Sequence, residues 1–527
     1  MAFFVGDPGA TRFALAPGVH IPRRWRCDSN ACDLMQALRL VNLVNSPPNK
    51  YRPVFILIAV VFVALRVWRL TSYGLWFDET FSLHAARLAS TELLKFVATD
   101  IVHPPLFYLL LKGWITVGGE SLLWLKLFPL IIAILSIVPF VLLTRELRLE
   151  AREINLSFFL FAVNPFLIYY AQELRMYSLL LCLVLCSLTL FLYFLNRGSS
   201  KFPYLLLAVN LLLIYTHYFG WFVVFAEFCY VLIRRRDRLK YFLILVLVLG
   251  ACYVPWAVVV RQALIERKGL GENLNWLARP GVSELVWYYA TLNGHLLLRR
   301  TTVLGFVLFA TPVLVWIYHR WKRDDGFKLE FLLTFSFLPA ILAFVASYVL
   351  PQSIFGERYL IVASVPYLIL VATAALRLPS TQLRTLVVVL MICWVGMASY
   401  MNAMHARERI NWYELAATMR NREPDNPNVT VYTDAEFVAS PIRYSLTSLG
   451  EQRFEVIAGN DMFGRPTRNI LEAASNDDRF WMAYRPGERS SQSPQEFFRA
   501  RGCTIDNEFN VSALTQKVIY FPVICTR

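Results

Sequence analysis

Charge is scarce in this chain. Only 17% of its 527 residues are Asp, Glu, Lys or Arg, against about a quarter in ordinary soluble domains. So few charges cannot dress the surfaces of the three or four globular domains that the length alone would suggest. Cysteine is sparse too: nine residues, none in a paired CxxC arrangement, which excludes a disulfide scaffold and a zinc or redox motif of that kind. The first fifty residues hold Arg23, Arg24 and Arg26 but no apolar core ending in a small-residue cleavage site. They read as a basic cytosolic extension and not as a signal peptide. No internal repeat and no low-complexity tract breaks the chain.

What remains is apolar: 57% of the residues are hydrophobic and 15% aromatic. A membrane helix needs about 20 largely apolar residues. Eleven stretches qualify, at 53–70, 122–143, 154–171, 176–196, 203–217, 219–233, 241–260, 302–318, 329–350, 359–376 and 385–401. The segment 104–119 opens on two prolines, is interrupted by Lys112 and is short; it reads as a helix lying in the interface. With the N-terminus inside, alternate loops and residues 1–52 together carry 23 Lys and Arg, as cytoplasmic loops should. Arg299 and Arg300 are the exception, falling on the outer side.

Residues 402–527 are a different material, with 15 Lys and Arg against 16 Asp and Glu. The helix-like run Trp412–Arg420 and the strand-like runs Val429–Thr433, Phe480–Tyr484 and Val518–Ile524 predict a small soluble α/β domain, outside under the same alternation. Cys503 and Cys525 both fall in it and would pair in an oxidising compartment. The formal net charge of +15 therefore sits mainly on residues 1–401 and reports membrane orientation, which excludes nucleic acid as the partner.

Ionisable groups at a membrane are costly, so each is a functional candidate. Five polar clusters fall on one side: Asp78 and Glu79 after Trp76-Phe77; His103 before Pro104-Pro105; Tyr169 to Tyr177, containing Glu173 and Arg175; His217 with Tyr218; and Glu357, Arg358 and Tyr359. Together they suit a phosphate held at headgroup level. Each cluster also has a plain structural reading. The carboxylate pair can start a helix, His217 can be a packing histidine, the tyrosines can form an aromatic belt, and Glu173 with Arg175 can be an ion pair across a turn. Glu227, inside a membrane stretch, can be a packing polar group.

The order WFDE, HPPLFYLLL followed by GGES, YYAQELRMYSL and GERYLIVASVP resembles the GT-C superfamily of polyprenyl-phosphate-dependent glycosyltransferases. More narrowly it is similar to the bacterial mannosyltransferase-like branch, related to protein O-mannosyltransferases and to the lipid A aminoarabinose transferase. The likeness spans about residues 50–400. It implies a GT-C-like fold of about eleven membrane helices over residues 53–401, with a first outer loop at 71–121 and an extracytoplasmic domain at 402–527. It implies transfer of a sugar from a polyprenyl-phosphate donor to a lipid, polysaccharide or protein acceptor, with inversion, at a bacterial plasma membrane. In that reading Asp78, with Glu79 beside it, is the general base. Arg175 and Arg358 bind the phosphate, and His103, Glu173, Tyr177, Tyr359 and His217 orient the reacting groups.

Lys126 stands where relatives often carry arginine, keeping the charge but losing the planar fork. The outer loops contain no DxD motif, so no metal is expected to be obligatory. Asp78, Glu79 and a neighbouring Glu are the groups that could take a divalent cation. A polytopic transporter or lipid flippase is the alternative, and it would put charge deep in the bundle and show pseudo-symmetric halves.

Overall fold

The computed structural model describes residues 51–197, 201–266, 277–294, 299–321, 327–404, 409–486, 493–513 and 516–525. The basic N-terminal extension expected at 1–52 lies outside the described residues but for its last two. The rest is a polytopic α-helical membrane protein with a small C-terminal α/β unit.

All eleven apolar stretches are helical. They correspond to α1 (Arg52–Val67), α5 and α6 (Leu122–Leu135, Ile137–Glu146), α7 and α8 (Ala151–Val163, Pro165–Ala171), α9 (Tyr177–Asn196), α10 (Lys201–Thr216), α11 (Gly220–Arg234), α12 (Leu239–Glu266), α14 (Arg299–Trp321), α15 (Phe327–Val349), α16 (Ile361–Leu376) and α17 (Thr381–Met404). Among the described residues, seven spans are long and apolar enough to cross a membrane, or eight if the bent pair α7–α8 is counted as one. α1, α10 and α11 are shorter. The segment between α1 and α5 folds into α2 (Phe77–Arg87), α3 (Ser90–Asp100) and α4 (Leu106–Gly118). α4 has 13 residues and so reaches only about 20 Å, short of the roughly 30 Å hydrocarbon core. A short helix α13 (Val282–Leu292) precedes α14.

Two features of the bundle place the functional residues. α16 lies at its centre, buried from Ile361 to Ala375. The small residues Ala363, Ser364, Ala372, Ala374 and Ala375 let neighbouring helices approach. A single helical turn, Glu357–Leu360, leads into α16, and the Tyr288 hydroxyl donates to the Leu360 carbonyl at 2.6 Å. Arg358 and Tyr359 are thus mounted on the most constrained element of the fold. The second feature is the 61° bend between α7 and α8. Pro165 has no N–H for the preceding turn, Asn164 caps the new helix through Leu167 N at 3.3 Å, and α8 runs into the turn that carries Glu173 and Arg175.

In the C-terminal unit, α18 (Trp412–Arg422), α19 (Glu436–Ser448), α20 (Ile470–Ala474) and α21 (Pro494–Arg499) flank one sheet. The strands β1 (Val429–Thr433), β2 (Phe454–Ala458), β3 (Arg479–Tyr484), β4 (Cys503–Ile505), β5 (Phe509–Ser512) and β6 (Lys517–Cys525) run β2-β1-β3-β6-β4, with β5 also paired to β6. β1 is parallel to β2 and β3, and β6 is antiparallel to its neighbours. Alternation gives both faces a core: Val431, Trp481 and Tyr520 pack on one side, Tyr432, Phe480 and Phe521 on the other. Cys503 and Cys525 stand opposite each other in the β4–β6 ladder and form a disulfide.

The unit docks on the segment between α1 and α5. Thr80 and Ser440 share a hydrogen bond of 2.7 Å, the Phe77 and Phe437 rings lie 5.3 Å apart, and Phe463 inserts against Phe81 and Phe96. Gly74 allows this approach, because a Cβ there would meet Ser445 Oγ at 2.8 Å. α2 is therefore held between the membrane bundle and the C-terminal unit.

Candidate active site

α2 begins with the two carboxylates, and an acidic first turn suits the positive end of a helix. Their side chains diverge. Glu79 turns inward and is fully engaged. Its Oε2 accepts from Trp76 N at 3.3 Å and its Oε1 from Leu174 N at 2.7 Å, and Lys126 Nζ forms an ion pair with Oε1. Lys126 also donates to the Gln172 carbonyl at 3.1 Å, and both charged groups are 1% exposed. The helix-start reading of the pair thus describes Glu79, and Lys126 neutralises it. Asp78 faces the other way: its Oδ2 accepts from Arg358 at 2.8 Å, with 18% of the side chain still exposed.

Arg175 sits behind Asp78, 4% exposed. It donates to the Asp78 carbonyl and Ser82 Oγ, each at 3.1 Å, and to the Tyr108 hydroxyl at 3.3 Å. Its other terminal nitrogen faces His103 Nδ1 at 3.3 Å. No ion pair joins Glu173 and Arg175; Arg175 holds the backbone of α2 and orients His103. A guanidinium only donates, so His103 Nδ1 is the acceptor and its proton belongs on Nε2. The same assignment holds for His217, whose Nδ1 accepts from Phe219 N at 3.1 Å.

Both imidazole Nε2 atoms are buried and have no protein partner, and the same is true of the hydroxyls of Tyr177 and Tyr359. The His103 and His217 rings are 5.2 Å apart, and the Tyr359 ring lies 5.8 Å and 5.0 Å from them. Burial, reinforced by Arg175 and Arg358, drives His217 down to about 3 and His103 well below the usual imidazole range. Each is a neutral ring offering one N–H. Buried donors without acceptors are rare in native interiors, and several next to two guanidiniums make a pocket with the character of an anion site.

Glu173 lies at the edge of this cluster. Its Oε1 accepts from the Trp76 indole at 3.1 Å, while Oε2 is buried without a partner. Burial, with Glu79 and Asp78 nearby, pushes it up to about 7. The residues assigned to the site therefore collect in one region, while Glu227 lies apart, with Ser187 and Asn210. Glu79 with Lys126 forms a closed pair, and Asp78, Arg358, His103, His217, Tyr177 and Tyr359 form an open one. Among the described residues no three His, Cys, Asp or Glu side chains converge as a metal-ligand set. Asp78 and Glu79 are each paired with a cation of the protein.

Sequence reasoning passed over two residues. Arg66, 1% exposed within α1, donates to the Phe161 and Ala162 carbonyls at 3.2 Å and 2.9 Å. These are among the carbonyls orphaned at the α7–α8 bend. Gln172 returns the favour, donating to the Arg66 and Trp68 carbonyls at 2.9 Å each. Together they fix the turn bearing Glu173 and Arg175 to the end of α1. An arginine inside an apolar stretch was signal enough for Arg66; nothing local marks Gln172.

No protein-family model matches the chain, and neither does any curated protein. Solved structures do. ArnT from Cupriavidus metallidurans in the apo state superposes with a TM-score of 0.55 at 14% identity, over 88% of this chain and 97% of that one. The same protein bound to undecaprenyl phosphate gives 0.54 at 12% identity over the same shares. At such identity the likeness establishes the fold, which is of the GT-C kind.

Proposed function

We propose that this protein is a membrane glycosyltransferase that moves a sugar from a polyprenyl-phosphate donor to a hydroxyl of an extracytoplasmic acceptor. The observation that carries this reading is the open half of the site. A carboxylate and a guanidinium pair at the rim, backed by neutral N–H and O–H donors that have no acceptor of their own. A phosphate would supply those acceptors, and the solved ArnT complex shows that this fold accommodates undecaprenyl phosphate.

The geometry suggests a sequence of events. In the free protein Arg358 neutralises Asp78. A donor phosphate competes for the guanidinium, which binds phosphate oxygens through two parallel hydrogen bonds, and Asp78 is released as a base. The acceptor hydroxyl gives its proton to Asp78 while its oxygen bonds to the anomeric carbon. The bond from that carbon to the phosphate oxygen breaks, and polyprenyl phosphate leaves with the electron pair. Arg358, His103, His217, Tyr177 and Tyr359 stabilise the charge it gains. Direct displacement inverts the anomeric centre. Arg175, committed to Asp78, Ser82, Tyr108 and His103, contributes charge and alignment.

The deep polar groups do not favour transport: Glu227 and Arg66 are occupied by protein partners in the bundle. Under this proposal the site and the C-terminal unit lie outside the cytosol of a bacterial inner membrane, consistent with the Cys503–Cys525 bond. Purified protein given the polyprenyl-phosphate sugars of its source cells tests the reading. Asp78→Asn should lower turnover by about 10²–10⁴-fold; unchanged turnover would remove Asp78 from the chemistry.

A further inference from the structure

One cavity among the described residues is separate from the cluster of unpaired donors. It is a groove of about 90 Å³ between the end of α1, α8, the end of α17 and the segment entering the C-terminal unit. Arg69 and Arg409 line it and no Asp or Glu does. Neither arginine forms an ion pair among the described residues. Arg409 donates to the Tyr169 carbonyl at 2.9 Å and lies 4.3 Å from the centre of that ring, while Arg69 stacks on Tyr73 at 5.2 Å. Arg69 adopts φ 56°, a left-handed conformation that is unfavourable for a residue with a side chain. Strain of this kind collects at ligand clamps.

The remaining lining is graded. Trp68, Tyr73 and Tyr169 supply aromatic rings at the level of the arginines, and Leu65 and Ile168 supply apolar surface next to them. Two arginines with no carboxylate in the groove's own lining, above rings and aliphatic side chains, complement an amphiphile with an anionic head. We infer that this groove binds the headgroup of an anionic glycerophospholipid of the surrounding bilayer. One wall is Gln172, adjacent to Glu173, so an occupied groove would brace the turn that carries Glu173 and Arg175. This is a site for the bilayer itself, additional to the donor site proposed above, and its test measures no sugar transfer.

Native mass spectrometry of the full-length protein, equilibrated with phosphatidylglycerol or phosphatidylcholine, reads occupancy directly. The protein should retain one phosphatidylglycerol about tenfold more tightly than phosphatidylcholine, the scale of one charge-assisted hydrogen bond. The double variant Arg69→Gln/Arg409→Gln should lose that preference. Arg69→Lys/Arg409→Lys should keep most of it, which separates lost charge from lost fold. A control variant, Arg235→Gln/Arg236→Gln, should bind as the parent does. Equal retention of the two lipids by the parent protein, or an undiminished preference in the Gln double variant, would overturn the inference. So would one-for-one displacement of phosphatidylglycerol by undecaprenyl phosphate, because the groove would then belong to the donor.

Discussion

The bundle treats ionisable side chains in opposite ways in two of the places where it buries them. In its middle, Asn210 of α10 donates to Glu227 of α11 at 2.8 Å, and Ser187 Oγ of α9 lies 2.7 Å from Glu227 Oε1 and 2.6 Å from Asn210 Oδ1, its one proton serving either acceptor. The ring is closed and no side-chain atom in it lacks a partner. At the end of the bundle that meets α2, His103, His217, Glu173, Tyr177 and Tyr359 each bury a polar atom that bonds to nothing in the protein. Low dielectric makes an unpaired group expensive and a fully satisfied network rigid. The first region is therefore a fastener between helices, and the second is a site shaped for something else.

The Glu79–Lys126 pair gives the hardest test of that contrast, since it lies beside the open site yet resembles the fastener. If it is structural, Lys126→Met strands a buried carboxylate. It should then cost about 3–5 kcal/mol of stability, read as a large fall in unfolding temperature in detergent. A variant that unfolds normally but fails in turnover would instead move Lys126 into the chemistry.

Glu173 tests the contrast through pH. Its folded pKa, at about 7, lies above the ordinary carboxylate value, so the folded protein holds this proton more tightly than the unfolded chain does. Stability from this group is complete below about pH 4.5 and is lost as the pH rises towards 7. Glu173→Gln removes the loss. The variant should match the parent near pH 4 and exceed it at pH 8 by at most about 3 kcal/mol. A difference in unfolding temperature that does not change with pH would show that Glu173 is already satisfied.

The closed ring predicts the smallest effect. Glu227→Leu leaves Asn210 and Ser187 short of a partner and should cost about 1–3 kcal/mol. Glu227→Gln keeps a hydrogen-bonding amide in place and should cost less. Equal losses for the two substitutions would mean that the ring contributes no hydrogen-bonding specificity.

Much of this was legible in the sequence. Apolar length located the eleven long apolar helical stretches but not α2, α3 or α13, and the rule that polar residues at a membrane need a reason picked out the turns that converge. Period-two patterning found three of the six strands; β2, β4 and β5 are short or carry charge, and their pairing is set by β1, β3 and β6. What escaped were relations between distant segments. Whether Asp78 or Glu79 faces the site depends on where α5 delivers Lys126, and spacing along one helix does not reveal that. The clamp of Arg66 on the α7–α8 bend, and the docking of Phe437 and Phe463 on α2, rest likewise on contacts between residues far apart in the chain.

The central claim is that the open cluster is a phosphate site with Arg358 as its cation. Equilibrium binding of undecaprenyl phosphate to the parent and to Arg358→Met addresses it most directly. The account predicts that the substitution weakens binding at least tenfold, about the worth of one charge-assisted contact, while binding of the uncharged alcohol undecaprenol is unchanged. Equal affinity of the two proteins for undecaprenyl phosphate would contradict it.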